Sequence, residues 1–228
     1  MDSPVHQDRL FEDDIETLDG ILLNNYLLIE VDEFINEKLE LKSGLELWVD
    51  NTEQPHQYVT RHGKVTRLPN KLSFWDTDKK GLQWKTDMQV KIGDTVWFYA
   101  ITSHSSEKLT YEGRKFILVN YEDLYIAKRG NDIICLNGNV LLKPIYKITK
   151  ALEYEKEELD TTFATVYKVG KINREYKDEN IQDDPIIKEG MTVLLSGMAV
   201  RFLELEPYLF LDGNKYIVCQ NNEIKAYL

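Results

Sequence analysis

The chain contains an internal repeat. Residues 115–124 match residues 215–224 over ten positions without a gap. Upstream of each copy lies a second shared element, at residues 90–98 in the first half and at residues 187–195 in the second. Because two elements recur in the same order, the sequence predicts two copies of one small fold. The repeat therefore limits the chain to architectures that can be built twice within 228 residues.

Strand signals dominate both halves of the chain. Short apolar or alternating runs, separated by polar turn residues, occur in each half. They cover residues 26–31, 58–65, 139–145 and 163–172. Gly93 and Gly190 each precede an apolar run, which is typical of a tight turn. The pattern predicts an all-β fold, barrel or sandwich, with long loops and little helix.

The length of the chain suits two domains of about 100 residues each with an N-terminal extension. We place an acidic N-terminal arm at residues 1–20, the first domain at residues 21–130 and the second at residues 131–228. Within this scheme, residues 11–18 fit either a short helix or an arm. Residues 152–159 fit either a helix or a solvated charged loop.

Composition excludes several classes of function. The formal net charge of −11 opposes binding to nucleic acid or to an anionic membrane surface, because phosphates are held by Lys and Arg. The two cysteines, Cys135 and Cys219, do not form a CxxC pair and are predicted to be buried free thiols. The chain shows neither a signal peptide nor an apolar run long enough to span a bilayer, so we expect a cytoplasmic protein.

No arrangement of residues indicates an enzyme. The four histidines, His6, His56, His62 and His104, lack metal-ligand spacing. The serines around His104 are expected to form a polar loop, because they lack the context of a nucleophile elbow. Paired carboxylates lie in loop-like sequence, and no glycine-rich phosphate-binding motif occurs. We therefore predict a protein without catalytic activity, metal or cofactor.

The order of the motifs resembles the GroES-type co-chaperonin family, the ten-kilodalton partner of the large chaperonin. Residues 27–31 are placed like the strand that precedes the mobile loop of that family. Residues 90–98 (Val-Lys-Ile-Gly-Asp-Thr-Val-Trp-Phe) are similar to its V-K-V-G-D-x-V-x-F element, and residues 116–127 to its closing strand segment. Residues 61–65 lie where the family has a strand leading into a roof hairpin. The resemblance implies two tandem GroES-like β-barrels.

In that family a flexible loop with a glycine and a short apolar tripeptide docks on the large chaperonin. The matching segment here implies a chaperonin-binding loop formed by Gly44, Leu45, Glu46, Leu47 and Trp48. Leu45 and Leu47 would be the anchors, with Glu46 where the family has an apolar residue. The alternative is that this segment is a plain strand with alternating faces. The second half has no such element and is interpreted as scaffold.

The resemblance implies a co-chaperonin-like protein that binds or caps a large GroEL-type chaperonin ring and forms a homo-oligomer. An alternative is a structural or adaptor protein, for example of a phage or mobile element, that reuses the barrel without binding a chaperonin. A zinc alcohol-dehydrogenase-type enzyme shares the barrel, but the chain lacks its Cys and His ligands and its dinucleotide motif.

Overall fold

The structure is a computed structural model. It describes residues 12–14, 22, 25–35, 38–40, 46–48, 59–70, 72, 83–84, 88–151, 154–171, 174–175, 187–196 and 209–228. These residues are mostly in strands, with one short α-helix among them, which confirms the all-β prediction.

The strands of the described residues are named in chain order. They are β1 (Glu12–Asp14), β2 (Tyr26–Val31), β3 (Lys38–Glu40), β4 (Glu46–Trp48), β5 (His62–Arg67), β6 (Gln83–Trp84), β7 (Thr95–Phe98), β8 (Lys108–Tyr111), β9 (Arg114–Asn120), β10 (Leu124–Arg129), β11 (Asp132–Cys135), β12 (Asn139–Ala151), β13 (Tyr154–Val169), β14 (Arg174–Glu175), β15 (Thr192–Leu195), β16 (Leu209–Leu211), β17 (Asn214–Gln220) and β18 (Ile224–Tyr227). The helix α1 spans Ala100–Ser105.

The chain divides into two compact units. The first comprises the described residues of 1–73 and 91–124, and the second those of 74–90 and 125–228. Part of the excursion between β5 and β7 thus belongs to the second unit, where β6 pairs antiparallel with β14. The Arg129 side chain also donates a hydrogen bond of 2.9 Å to the Gln89 carbonyl oxygen in that unit.

The first unit is built on a sheet with the strand order β1-β8-β9-β2-β5-β7. One set of its core residues recurs at alternate positions along the strands and therefore shares one face of the sheet. They include Leu27, Ile29, Val65, Val96, Phe98, Ile117 and Val119, all at most 1% exposed. These residues form the main core of the unit on one face of the sheet, and Leu28 and Phe116 are buried on the other face.

The second unit is built on a sheet with the strand order β16-β17-β12-β13-β15-β18. Its apolar cluster takes residues from four of these strands, β12, β13, β15 and β17, and from the turn before β15. The cluster contains Val140, Leu142, Ala164, Val166, Ile187, Val193, Leu195, Ile217 and Cys219. No strand pairing among the described residues closes either sheet upon itself.

The two sheets share one topology. The order β8-β9-β2-β5-β7 of the first unit corresponds to β16-β17-β12-β13-β15 of the second. The burial pattern along β9 is repeated position by position along β17. A short 3₁₀ turn then follows each strand, at Tyr121–Asp123 and at Asn221–Glu223. The sequence repeat is therefore a repeat of structure.

An irregularity in strand pairing is repeated as well. Between β2 and β5 the register shifts by one residue at Thr66, and between β12 and β13 it shifts in the same way at Tyr167. The Thr66 hydroxyl donates to the Leu28 carbonyl oxygen at 2.9 Å. Since β-bulges are specific features of a fold, this shared bulge supports a common architecture for the two units.

The repeated glycines form equivalent turns. Gly93 and Gly190 have φ of 93° and 87°, in the left-handed region that glycine tolerates best. In each unit the glycine N–H donates to a carbonyl oxygen of the neighbouring strand at 2.8 Å. The acceptor is Val65 in β5 and Val166 in β13. The N–H of the same valine donates back to the carbonyl oxygen of the residue that follows the glycine. The predicted tight turns are confirmed, and they fix the register of β7 and β15.

Three segments differ from the sequence-based expectations. Residues 12–14 form a strand, not a helix. The expected polar loop around His104 is the helix α1, which begins directly after β7. Residues 154–159 form the first part of the long strand β13, so neither a helix nor a loop is correct there. The run of charged residues at 155–158 does not show the apolar alternation by which a strand is recognised in sequence.

Candidate functional site

The chain leaves each sheet at the same place. In the first unit the excursion lies between β2 and β5, and in the second unit between β12 and β13. In the first, the Thr60 N–H donates to the Phe34 carbonyl oxygen at 3.0 Å, and Ile35 pairs with Val59. Strands β3 and β4 then form an antiparallel hairpin with Leu39 opposite Leu47. Both excursions are thus built from paired strands.

The predicted binding loop falls on this first hairpin. Glu46, Leu47 and Trp48 form β4, whereas Gly44 and Leu45 lie outside the described residues. The backbone at 46–48 is that of a strand, which is the conformation the alternative interpretation expects. The structure therefore places three of the five residues on one strand of a hairpin, and their role in binding stays a prediction.

The excursion of the second unit is a continuous extension of β12 and β13, which we call the arm (distinct from the N-terminal arm at residues 1–20). It consists of residues 146–151 of β12 and 154–159 of β13, paired from Tyr146 opposite Leu159 to Ala151 opposite Tyr154. The pairing of β12 with β17 ends at Leu142 of β12, so β17 does not extend along the arm. Sequence reasoning missed the arm and interpreted this half as scaffold. Among the described residues, the arm has six consecutive cross-strand pairs, whereas the β3–β4 hairpin has three.

A wide bulge lies at the base of the arm. Pro144 pairs with Ala164, but Tyr146 pairs with Leu159, so β13 has extra residues at this point. The Asp160 carboxylate accepts hydrogen bonds from the N–H groups of Thr162 and Phe163 at 2.8 and 3.2 Å. These are backbone groups within the bulge, and leaving such groups unpaired would be costly. Asp160 therefore stabilises the backbone where the arm leaves the sheet.

A salt bridge joins the same carboxylate to the other strand of the arm. The Lys147 ammonium lies 2.8 Å from Asp160 Oδ2, whose side chain is only 5% exposed. Burial alone would raise the pKa of Asp160, but the hydrogen bonds from Lys147 and from the backbone outweigh it and lower the pKa. The carboxylate is thus charged at neutral pH, and its contacts hold β12 and β13 together at the point where the arm leaves the sheet.

The arm exposes apolar side chains near its base. Tyr146 is 42% exposed and Ile148 is 70% exposed. Because side chains two apart on a strand point to the same face, Tyr146 and Ile148 share one face of the arm. Leu159 is the cross-strand partner of Tyr146 and lies on that face as well. The sequence signal for this surface was the alternation of Tyr146 and Ile148 with lysines.

Buried polar residues between β7 and β8 hold α1 in place through hydrogen bonds to backbone carbonyl oxygens. Ser103 is fully buried, and its hydroxyl donates to the Thr60 carbonyl oxygen at 2.5 Å. The ammonium of Lys108, 1% exposed, donates to the Ser103 carbonyl oxygen at 2.9 Å and to that of Ser106 at 3.4 Å. A cation at the carboxyl end of a helix is favourable. These contacts account for the serines without a nucleophilic role.

The two histidines that the structure describes, His62 and His104, lie in different elements. His62 stacks on Trp97 with ring centroids 5.8 Å apart, and desolvation lowers its pKa, with Asp32 opposing this effect and Arg61 adding to it. His104 lies on α1, and His6 and His56 lie outside the described residues. Within the part of the chain that the structure describes, no three His, Cys, Asp or Glu residues are grouped as metal ligands.

Two half-buried carboxyl groups occupy equivalent positions at the ends of the 3₁₀ turns. Burial raises the pKa of Asp123, and a hydrogen bond from Thr102 opposes the rise. Burial also raises the pKa of Glu223, which accepts from the Gln220 N–H at 2.6 Å. Since each carboxyl group has a local donor, both are explained as anchors of their turns.

Both cysteines are free and buried, as expected from the sequence. Burial raises the pKa of the Cys135 thiol to about 12 and raises the pKa of Cys219 as well. Because the thiolate is the reactive species, we expect neither thiol to be alkylated by iodoacetamide at pH 7 in the folded protein. Mass spectrometry before and after unfolding in urea checks this. Labelling of either cysteine in the native protein would contradict the burial.

No protein-family model and no curated protein matches this chain. Among the described residues, no helix has both the length and the apolar character needed to cross a bilayer. The two candidate functional sites are the equivalent excursions, the β3–β4 hairpin of the first unit and the arm of the second, because they differ between otherwise closely similar sheets.

Proposed function

We propose that the chain is a tandem pair of GroES-like barrels. The support is the repeated strand order, the shared bulge and the equivalent glycine turns, met once in each unit. Each unit also contains a hairpin whose second strand begins the repeated segment, residues 115–124 in the first unit and 215–224 in the second. At this hairpin, Glu112 and Gly113 have φ of 50° and 74°, and Asp212 and Gly213 have φ of 49° and 77°. Positive φ at both positions marks a tight β-hairpin turn.

We further propose that the protein acts as a co-chaperonin, binding a large chaperonin ring through the segment Gly44, Leu45, Glu46, Leu47 and Trp48 and assisting protein folding. The observation that carries this proposal is the position of the β3–β4 hairpin. It extends from the sheet between β2 and β5, where the family has its mobile loop. No catalytic group is required, because the large chaperonin hydrolyses ATP.

Two apolar anchors on a short excursion suit reversible binding. Burying a leucine side chain contributes about 1.5–3 kcal/mol. The entropy lost when the segment becomes ordered reduces this gain, so a single contact is weak. A homo-oligomer that presents several copies to one ring then increases the total affinity through multivalency.

The test is a double substitution at the anchors. We expect Leu45→Asp with Leu47→Asp to weaken binding to an immobilised large chaperonin, in ATP or ADP, by about 100-fold or more, because two leucines worth about 1.5–3 kcal/mol each are lost. Retained protein is quantified at increasing concentrations of the chain.

The matched control is Phe210→Asp, which introduces the same charge at an exposed apolar position of β16, outside both excursions. Binding should be unchanged in this variant. If the anchor variant binds as well as the unsubstituted chain, the proposed segment is not the binding site. If the chain without substitutions shows no binding, the chaperonin function itself is wrong.

A second candidate is an adaptor or structural protein that uses the same fold without a chaperonin. It is favoured by the strand conformation of 46–48, which pairs with β3 in the same chain. Native mass spectrometry discriminates the two. A monomer that does not associate with a large chaperonin supports the adaptor, whereas a ring-sized oligomer supports the co-chaperonin.

A further inference from the structure

The first strand, β1, lies outside the repeated part of the fold. It forms the end of the first sheet and pairs with β8 in parallel, whereas every other pairing in the described register is antiparallel. The equivalent of β8 in the second unit is β16, which forms the end of its sheet among the described residues. The repeated part of the sheet is therefore complete without β1, and β1 is an addition to it.

The contact between β1 and β8 is small. It comprises three residue pairs, Glu12 with Lys108, Asp13 with Leu109 and Asp14 with Thr110. Parallel pairing is slightly weaker per residue than antiparallel pairing. Three consecutive carboxylates also repel one another at neutral pH. Short terminal contacts of this kind open at low cost in free energy, so β1 is the strand of the first sheet that separates most readily.

Release of β1 would leave the outer backbone groups of β8 without their strand partner. Such an edge is a template for another extended segment. Residues 12–14 already pair with this edge of β8 in a defined register, and every copy of the chain contains this segment. We propose that β1 is exchanged between copies, so that residues 12–14 of one chain pair with β8 of a second copy.

Reciprocal exchange forms a closed dimer, because each chain then donates one strand and accepts one. This self-association surface is separate from the β3–β4 hairpin and does not depend on chaperonin binding. The contacts are the same within a chain and between chains, so protein concentration decides between them. The net charge of −11 opposes association, and salt that screens this charge should favour the dimer.

Singly substituted chains provide the test. One chain carries Asp13→Cys and the other carries Leu109→Cys, which are register partners. Paired strand positions lie within the distance that a disulfide can span. After the two chains are mixed at high concentration and oxidised, we expect a disulfide between the two different chains. Its yield should rise with protein concentration and with salt, as measured on non-reducing gels and by mass spectrometry.

The matched control is a mixture of Tyr26→Cys and Asn120→Cys chains, whose positions are register partners of β2 and β9 within the repeated part. We expect at least tenfold less linked product there, because β2 does not leave its sheet. If Leu109→Cys impairs folding, the pair Asp14→Cys and Thr110→Cys reports on the same contact. A yield no higher than that of the control, at every concentration, would overturn the proposal.

Discussion

Replacing Gly63 with alanine is expected to destabilise the first unit by about 3 kcal/mol, at the upper end for overpacking a core. A Cβ atom at this position would lie 2.4 Å from the Glu30 carbonyl oxygen and 2.6 Å from a methyl carbon of Ile29. The nearest atom belongs to the backbone of β2, which cannot move without disturbing its pairs with β5 and β9. The measurement is the free energy of unfolding from urea titration followed by circular dichroism.

The second unit provides the matched control. Ala164 is the equivalent of Gly63, because Ala164 pairs with Val193 as Gly63 pairs with Val96. Ala164 is fully buried and its Cβ is accommodated. The reverse substitution, Ala164→Gly, is therefore expected to cost only about 1 kcal/mol, from backbone entropy and lost packing. If Gly63→Ala lowers the free energy of unfolding by no more than Ala164→Gly does, β2 does not approach Gly63 as closely as the structure shows.

The sequence predicted the repeated framework because its signals are local. The matches at residues 90–98 and 187–195 contain the glycines whose positive φ fixes a turn, and only a few residue types tolerate that conformation. The strand at 26–31 was predicted with the bounds of β2, since it is an apolar run between polar residues. Buried strands and glycine turns are recognisable because burial and backbone geometry restrict the residues that can occur there.

The arm could not be predicted in this way. Among the described residues its two strands pair only with each other, and the sequence of residues 154–159 shows no apolar alternation. The base of the arm is held by Asp160, which accepts hydrogen bonds from Thr162 and Phe163 within the bulge of the same strand. The strand β1 was missed for a related reason, because its acidic residues make a contact defined by backbone pairing, which leaves little trace in sequence.

Replacing Asp160 with alanine is expected to destabilise the second unit by about 2 kcal/mol. The substitution removes an acceptor for two backbone N–H groups, and hydrogen bonds to a charged group contribute about 1.5–3 kcal/mol. The salt bridge adds little to this, since Lys147 is 54% exposed and such pairs are screened by water. Asp160→Asn keeps an oxygen acceptor, so we expect it to cost less than the alanine variant. Urea titration at pH 7 measures both.

The pH dependence identifies the charged carboxylate as the source of this stability. The pKa of Asp160 is lowered in the folded protein from its ordinary value of 3.8. The unfolded state therefore binds the proton more readily, and the contribution is fully present above about pH 5 and is lost as the pH falls through the folded pKa. We expect the stability gap between the chain and Asp160→Asn to narrow at low pH. Asp212→Asn, which removes a carboxylate from a hairpin turn of the same unit, serves as the control for net charge. A gap for Asp160→Asn that is equally large at pH 7 and at pH 2 would show that the arm does not depend on this ionised group.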